Sequence, residues 1–169
     1  MTSPDSVIRP PRIGDGAAMW RIARDSQTLD LNSSYAYILF ARDFASTCRV
    51  AVVDGEIAGF VIGYRRPETP DTVFVWQVAV DEAFRGLGLA GRMLDSLVED
   101  GVADGSIRML ETTITDDNPA SQRTFASFAA RWGGASVTVR PLFERDHFPE
   151  EGEHEPEPLY EIGPLAAQH

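Results

Sequence analysis

Val73 to Ala90 reads VFVWQVAVDEAFRGLGLA, and this stretch decides the fold. Val73, Phe74, Val75, Val78, Ala79 and Val80 form an apolar, largely β-branched run, as expected of a strand buried on both faces. Asp81-Glu82-Ala83-Phe84 breaks the run, and Arg85-Gly86-Leu87-Gly88-Leu89-Ala90 follows. Ala90, Met93, Leu94, Leu97 and Val98 then recur at the spacing of one amphipathic helix face. A glycine turn at a helix start aims several N–H groups at one spot, and the helix dipole adds partial positive charge. Such a turn suits a phosphate or pyrophosphate, with Arg85 placed to add a charge-assisted contact. Two glycines are also explained sterically in many strand-to-helix turns. The register excludes a Walker A loop, which needs Lys-Ser/Thr, and a G-x-G-x-x-G dinucleotide turn.

Working outward, Ile107 to Ile114 reads as the next strand, and Asn118-Pro119 as a helix N-cap with proline at the first helical position. Ser121, Phe125, Phe128, Ala129 and Trp132 form that helix's inner stripe, and Gly133-Gly134 ends it. Ala135 to Val139 is a strand, 142–158 is acidic and poorly patterned, and Leu159 to Ile162 is a last short strand. Upstream, Val7 to Arg12 is an edge strand limited by Pro10 and Pro11. Asp15 is the expected N-cap of a helix through about Asp25, with Met19, Ile22 and Ala23 inward. Leu29 to Ser34 is a polar linker, and Ser34 is the expected cap of a second helix over Tyr35 to Phe44. Arg49 to Val53 and Glu56 to Tyr64 are hairpin strands around the turn signal Asp54-Gly55. Arg65 to Asp71, with two prolines, reads as a loop. This order predicts one domain over 1–169: a mixed α/β sheet covered by helices on both sides.

Composition narrows the functions. The 169 residues can bury a sizeable core, and 43% hydrophobic content is ordinary for a globular chain. Net charge of −11 argues against nucleic acid or an anionic membrane as partner. It is compatible with a cationic small substrate, and equally with simple solubility. The single cysteine, Cys48, cannot form an internal disulfide, as expected in the cytoplasm. The N-terminal MTSPDSVIRPPR lacks an apolar signal-peptide core.

Arg85-x-x-Gly88-x-Ala90 after a strand resembles the R/Q-x-x-G-x-G/A signature of the GNAT N-acetyltransferases, and Asn118-Pro-Ala-Ser121-Gln-Arg-Thr-Phe125 resembles their later helix start. The GNAT likeness covers roughly Val7 to Val139. LDLNSSYAY (Leu29–Tyr37), PDTVFVWQVAV (Pro70–Val80), LETTITDDNPAS (Leu110–Ser121) and HEPEPLY (His154–Tyr160) extend it nearly end to end. They resemble the diaminobutyrate acetyltransferases of ectoine biosynthesis. The resemblance implies the GNAT fold: a mixed, mostly antiparallel twisted sheet with a splayed central strand pair, flanked by about four helices. It also implies acetyl-CoA as co-substrate, no metal, and a homodimer formed through the C-terminal strands. The implied reaction is acetyl transfer to the γ-amine of L-2,4-diaminobutyrate in a ternary complex. A GNAT enzyme for another small cationic amine, and a non-catalytic acyl-CoA sensor, are the alternatives.

The chemistry sets what the site must contain. Turning an alkyl-ammonium with pKa near 10.4 into the free amine at pH 7 costs about 4.6 kcal/mol, so an acceptor for that proton is required. The resemblance assigns the thioester oxyanion to a backbone N–H in Val78-Ala79-Val80, with Val78 the donor position. It assigns the CoA pyrophosphate to Arg85, Gly86, Leu87, Gly88, Leu89 and Ala90, and further CoA contacts to Asn118 and Ser121. Asp30, which by position alone is a turn or cap residue, would pair with a substrate ammonium. Tyr35 would offer a hydroxyl or ring face. Trp76, by itself a core tryptophan, would wall the acceptor pocket beside the carbonyl and offer a cation–π face. Glu157 would bind the amine or accept its proton, with His154 orienting it. By composition alone these two belong to a solvated acidic loop with Glu150, Glu151 and Glu153. Phe125 stands where many GNAT enzymes carry a Tyr that protonates the thiolate, so that acid is absent or supplied from elsewhere.

Overall fold

The structure is a computed structural model that describes residues 4–149, 151 and 153–167. Glu150 lies outside them. Seven strands follow the order β1-β2-β3-β4-β5-β7-β6 in one sheet. The pairing is antiparallel at β1–β2, β2–β3, β5–β7 and β6–β7, and parallel at β4–β5. The chain divides into two compact units: residues up to Tyr64 with Trp76–Asp100, and Arg65–Val75 with Gly101 onward.

The first unit holds β1 (Ser6–Arg9), α1 (Gly16–Ser26), α2 (Ser34–Asp43), β2 (Cys48–Val53), nearly all of β3 (Glu56–Arg66), the second part of β4 (Thr69–Val80) and most of α3 (Leu89–Asp104). β1 stops before Pro10 and occupies the sheet edge, as the prolines require. Asp54 and Gly55, at φ 49° and 84°, turn β2 into β3. Met19, Ile22 and Ala23 from α1, Tyr37 from α2, Cys48 and Val50 from β2, Phe60 and Ile62 from β3 and Ala79 from β4 form one core cluster. Cys48 is fully buried with its Sγ 3.7 Å from the Gly63 carbonyl, and burial pushes the thiol up to about 11.

Two helix caps differ from expectation. The N-cap of α2 is Ser33 rather than Ser34, without a side-chain bond. Asp15 stands at the N-cap of α1, but its carboxylate serves other partners. Arg9 donates to both of its oxygens (2.8 and 3.2 Å), and the Arg12 N–H donates at 2.7 Å. Burial alone would raise the Asp15 carboxyl. The Arg9 hydrogen bond, the Arg12 amide and both cations outweigh it and hold it below the ordinary carboxylate range. A depressed folded-state pKa contributes stability above the unfolded pKa, near 3.9, that is lost as pH falls through the folded value. Asp15→Asn is therefore expected to destabilise the protein by about 1.5–3 kcal/mol at pH 7. Thermal unfolding should show the gap to wild type closing below about pH 4.

The second unit centres on β5 (Met109–Thr113). It pairs in parallel with the first part of β4, Thr72 to Val75 against Met109 to Thr112, a pairing that needs the crossover α3 supplies. On its other side lies β7 (Glu157–Gly163), then β6 (Ser136–Phe143) at the second sheet edge. α4 (Pro119–Arg131) buries Phe125, Phe128 and Ala129, followed by Trp132.

Three sequence expectations are corrected. Arg65 to Asp71 is not a loop: β3 runs to Arg66, β4 starts at Thr69, and Pro67-Glu68 is the turn. The poorly patterned tail is strand at both ends, with β6 reaching Phe143 and β7 starting at Glu157. β4 is not buried on both faces. Val73, Val75, Gln77 and Ala79 are buried, whereas Phe74, Val78 and Val80 are half-buried and Trp76 is exposed.

Candidate active site

The expected residues divide between the two units. In the first, β4 ends against β3: the Asp81 N–H donates to the Ala58 carbonyl at 2.7 Å. A Cβ on Gly59 would stand 2.8 Å from the Ala79 carbonyl oxygen, so only glycine admits β4 this closely. Asp81 then caps a short 3-10 turn by accepting the Ala83 N–H (3.0 Å), and accepts Arg21 at 3.1 Å. Gly86 and Gly88 follow at φ 85° and 68°, left-handed values that reverse the chain into α3. The first α3 bond runs from the Arg92 N–H to the Gly88 carbonyl (3.1 Å). The N–H groups of Leu89 and Ala90 precede it and lie at the positive end of the helix. Leu89 is buried and anchors the turn, while Arg85, Gly86, Leu87 and Gly88 are exposed. Nothing lies within 4 Å of a Cβ built on Gly88. This is an open, positively polarised helix start, of the kind that suits an anion. Arg92 donates to Ser6 Oγ at 2.8 Å.

Asp30 and Tyr35 are exposed, Asp30 on the connection between α1 and α2 and Tyr35 in the first turn of α2. The exposed Trp76 lies against Phe40, ring centroids 5.5 Å apart. Its neighbour Gln77 is buried, accepts the Tyr37 hydroxyl at 3.0 Å and donates to the Asp30 backbone carbonyl at 3.0 Å. Consecutive side chains of a regular strand point to opposite faces. Here both reach α2, where Tyr37 and Phe40 share a face. Sequence reasoning passes over Tyr37, and the signal for Gln77 is its place as the lone amide in an apolar run.

In the second unit, Asn118 Oδ1 accepts the Ser121 N–H at 3.1 Å, so the cap brings these two together. Phe125 is buried on α4. His154 stacks flat on Phe148, centroids 3.7 Å apart at 5°, with Nδ1 2.6 Å from the Glu155 carbonyl. A carbonyl only accepts, so Nδ1 carries the proton, and in the neutral ring Nε2 is the accepting nitrogen. Glu157 opens β7 opposite Phe143. Glu111, unremarkable in the sequence, is buried on β5 directly opposite Glu161, with Arg66 Nε at 3.9 Å. Burial pushes its carboxyl up, Glu161 adds to this, and Arg66 and Arg140 do not cancel it. A depression of about 450 Å³ lined by Leu142, Phe143, His147 and Phe148 contains none of the expected residues.

Comparison with known proteins fits this geometry. Residues 17–129 match the acetyltransferase (GNAT) family. The chain is 55% identical over 165 residues to the L-2,4-diaminobutyric acid acetyltransferase of Streptomyces coelicolor, covering 96% of this chain and 95% of that one. It is 47% identical to the enzyme of the same name from Marinococcus halophilus, covering 96% and 93%. The diaminobutyrate acetyltransferase EctA from Paenibacillus lautus, solved with its substrate L-2,4-diaminobutyric acid and coenzyme A, superposes with TM-score 0.89 at 38% identity over 99% of both chains. Ard1 from Thermoplasma volcanium, at 19% identity and TM-score 0.72, shares the fold. The sheet, the glycine turn and these matches together place the chain in the GNAT acetyltransferase family.

Proposed function

We propose that this protein transfers the acetyl group of acetyl-CoA to the γ-amine of L-2,4-diaminobutyrate, the acetylation step of ectoine biosynthesis. The observation that carries this reading is the likeness, over 99% of both chains, to a protein solved with that diamino acid and CoA. The glycine turn supports it, because Gly86 and Gly88 lead the chain into the N-terminus of α3, and the first N–H groups of a helix suit a pyrophosphate.

The γ-ammonium gives a proton to Glu157, directly or through water, with His154 orienting it. The amine nitrogen attacks the thioester carbon, and a backbone N–H in Val78–Val80 receives the oxyanion. As the tetrahedral species collapses, its nitrogen gives up a second proton to the site or solvent, the C–S bond breaks and CoA leaves as a thiolate, which takes up a proton from the same source. A thiolate whose conjugate thiol has a pKa near 8.5 leaves readily, so the buried Phe125 in place of a tyrosine costs little. Asp30 pairs with an ammonium, Tyr35 adds a hydroxyl or ring face, and Trp76 limits the depth of the pocket. The protein works in the cytoplasm as a homodimer. The exposed Val137 and Val139 on edge strand β6 support the second point.

Parallel assays with diaminobutyrate, ornithine, lysine and spermidine test the reaction. Diaminobutyrate is expected to give the highest kcat/KM, with NMR placing the acetyl group on the γ-nitrogen. Equal turnover of the four amines would contradict a fitted pocket, and α-acetylation would contradict the orientation. Thermal shift separates an enzyme from a sensor, since only the enzyme gains stability from the amine on top of CoA.

A further inference from the structure

Between α1 and α2 the chain has no regular structure, so its placement depends on the side chains that bind it. Ser26 Oγ accepts the N–H groups of Leu29 at 3.3 Å and Thr28 at 3.4 Å. Further along, the Asp30 carbonyl accepts Gln77 Nε2 at 3.0 Å and Asn32 Nδ2 at 3.4 Å. Asn32 belongs to the segment itself and Ser26 ends α1, whereas Gln77 belongs to β4 and holds the segment to the sheet. Its orientation is dictated chemically. The Asp30 carbonyl can only accept, so the amide must present its NH₂ there, which leaves Oε1 for the Tyr37 hydroxyl. Tyr37 and Gln77 are 0% and 4% exposed. Tyr37 in turn packs edge-on against Phe60 of β3, centroids 5.9 Å apart at 79°. Core packing thus holds the tyrosine, the tyrosine holds the amide, and the amide holds the backbone at Asp30.

We propose that Gln77, braced by Tyr37, is a positioning residue of the acceptor site: it ties the backbone at Asp30 to β4 beside Trp76 and so sets where the Asp30 carboxylate stands. The proposal rests on Asp30 binding a substrate ammonium. Trp76 and Asp30 are thereby referenced to two consecutive residues of one strand. A flexible linker would let the carboxylate wander relative to the tryptophan, and small misplacements of binding groups are expensive in a fitted site.

Steady-state kinetics of the full chain test this. Gln77→Glu keeps an acceptor for Tyr37 but loses the donor to Asp30, and Gln77→Met loses both. Each is expected to raise KM for diaminobutyrate about fivefold or more, the size of one lost hydrogen bond, with KM for acetyl-CoA within about twofold of wild type. A buried pair that serves the core alone would affect both substrates or neither. In an Asp30→Asn background, Gln77→Met should raise KM no further, because its effect passes through Asp30. Additive effects, wild-type KM in both Gln77 variants, or equal rises in both KM values would overturn the proposal. Should neither Gln77 variant bind acetyl-CoA, Tyr37→Phe carries the same test, and an unchanged diaminobutyrate KM there overturns it. If Asp30→Asn alone keeps wild-type kinetics, Asp30 leaves the acceptor site and the proposal falls with it. If Asp30→Asn impairs the enzyme while the Gln77 variants do not, the positioning role falls and the acceptor reading stands.

Discussion

Gly88→Glu is expected to abolish acetyl-CoA binding while leaving the fold intact. Gly88 has φ 68°, and a Cβ there meets no protein atom within 4 Å. The side chain therefore enters open space at the start of α3, where the proposed cofactor site would receive a phosphate. It also brings a negative charge to the place that must accept one. Loss of two charge-assisted contacts at ~1.5–3 kcal/mol each predicts a fall in affinity of about a hundredfold or more. The left-handed backbone carries its own strain, about 1–2 kcal/mol for any residue with a Cβ. Gly88→Ala reports that strain alone, and calorimetry on both variants separates the two effects. An acidic residue at a helix N-terminus does not weaken the helix, so Gly88→Glu should melt no lower than Gly88→Ala. Wild-type CoA affinity in a folded Gly88→Glu protein would remove the turn from the cofactor site.

The second large effect is expected at Glu157. Glu157→Gln keeps the shape of the side chain and removes its charge and its capacity to take a proton. Losing one charge-assisted contact, at ~1.5–3 kcal/mol, lowers kcat/KM for the diamino acid at least tenfold. Acetyl-CoA affinity should stay near wild type, because Glu157 is assigned to the acceptor amine. The pH profile supplies a second readout: the rising acid limb belongs to the base or the amine, and its position should move in the variant. A wild-type rate would return Glu157 to the half-buried start of an ordinary strand.

Local chemistry makes much of this fold legible. The run from Val73, the glycine turn and the helix spacing after Ala90 each depend on residues within one or two turns of each other. The Asn118-Pro119 cap and the Asp54-Gly55 turn are likewise local, and both stand where their residue types require. What is not legible depends on partners far along the chain. Pro67 and Pro70 read as a loop, yet Pro67 occupies a two-residue turn and Pro70 precedes Thr72, where pairing with β5 begins. β6 reads short because nearly all of its residues are exposed, so no alternation marks it beyond Val139. Asp15 reads as a helix cap, and Arg9 and the Arg12 amide take its carboxylate instead. In the candidate site, spacing explains how Asn118 meets Ser121. Asp30, Trp76, His154 and Glu157 come from resemblance, because no local pattern separates an acceptor carboxylate from a solvated one. The Tyr37–Gln77 bond escapes sequence reasoning because it joins residues 40 apart, and a hydroxyl and an amide look unremarkable until both are buried.

Cys48 has a consequence at the bench. Turnover releases CoA with a free thiol, which the reagent DTNB measures by colour. The protein's only thiol is inside the core and, with its pKa near 11, almost wholly protonated at neutral pH. In the folded protein it should stay silent, so the colour counts product and nothing else, even at high enzyme concentration. Denaturation brings the same sulfur into water, and one equivalent of colour per chain then appears. A single reagent thus serves as both the activity assay and a clock for global unfolding.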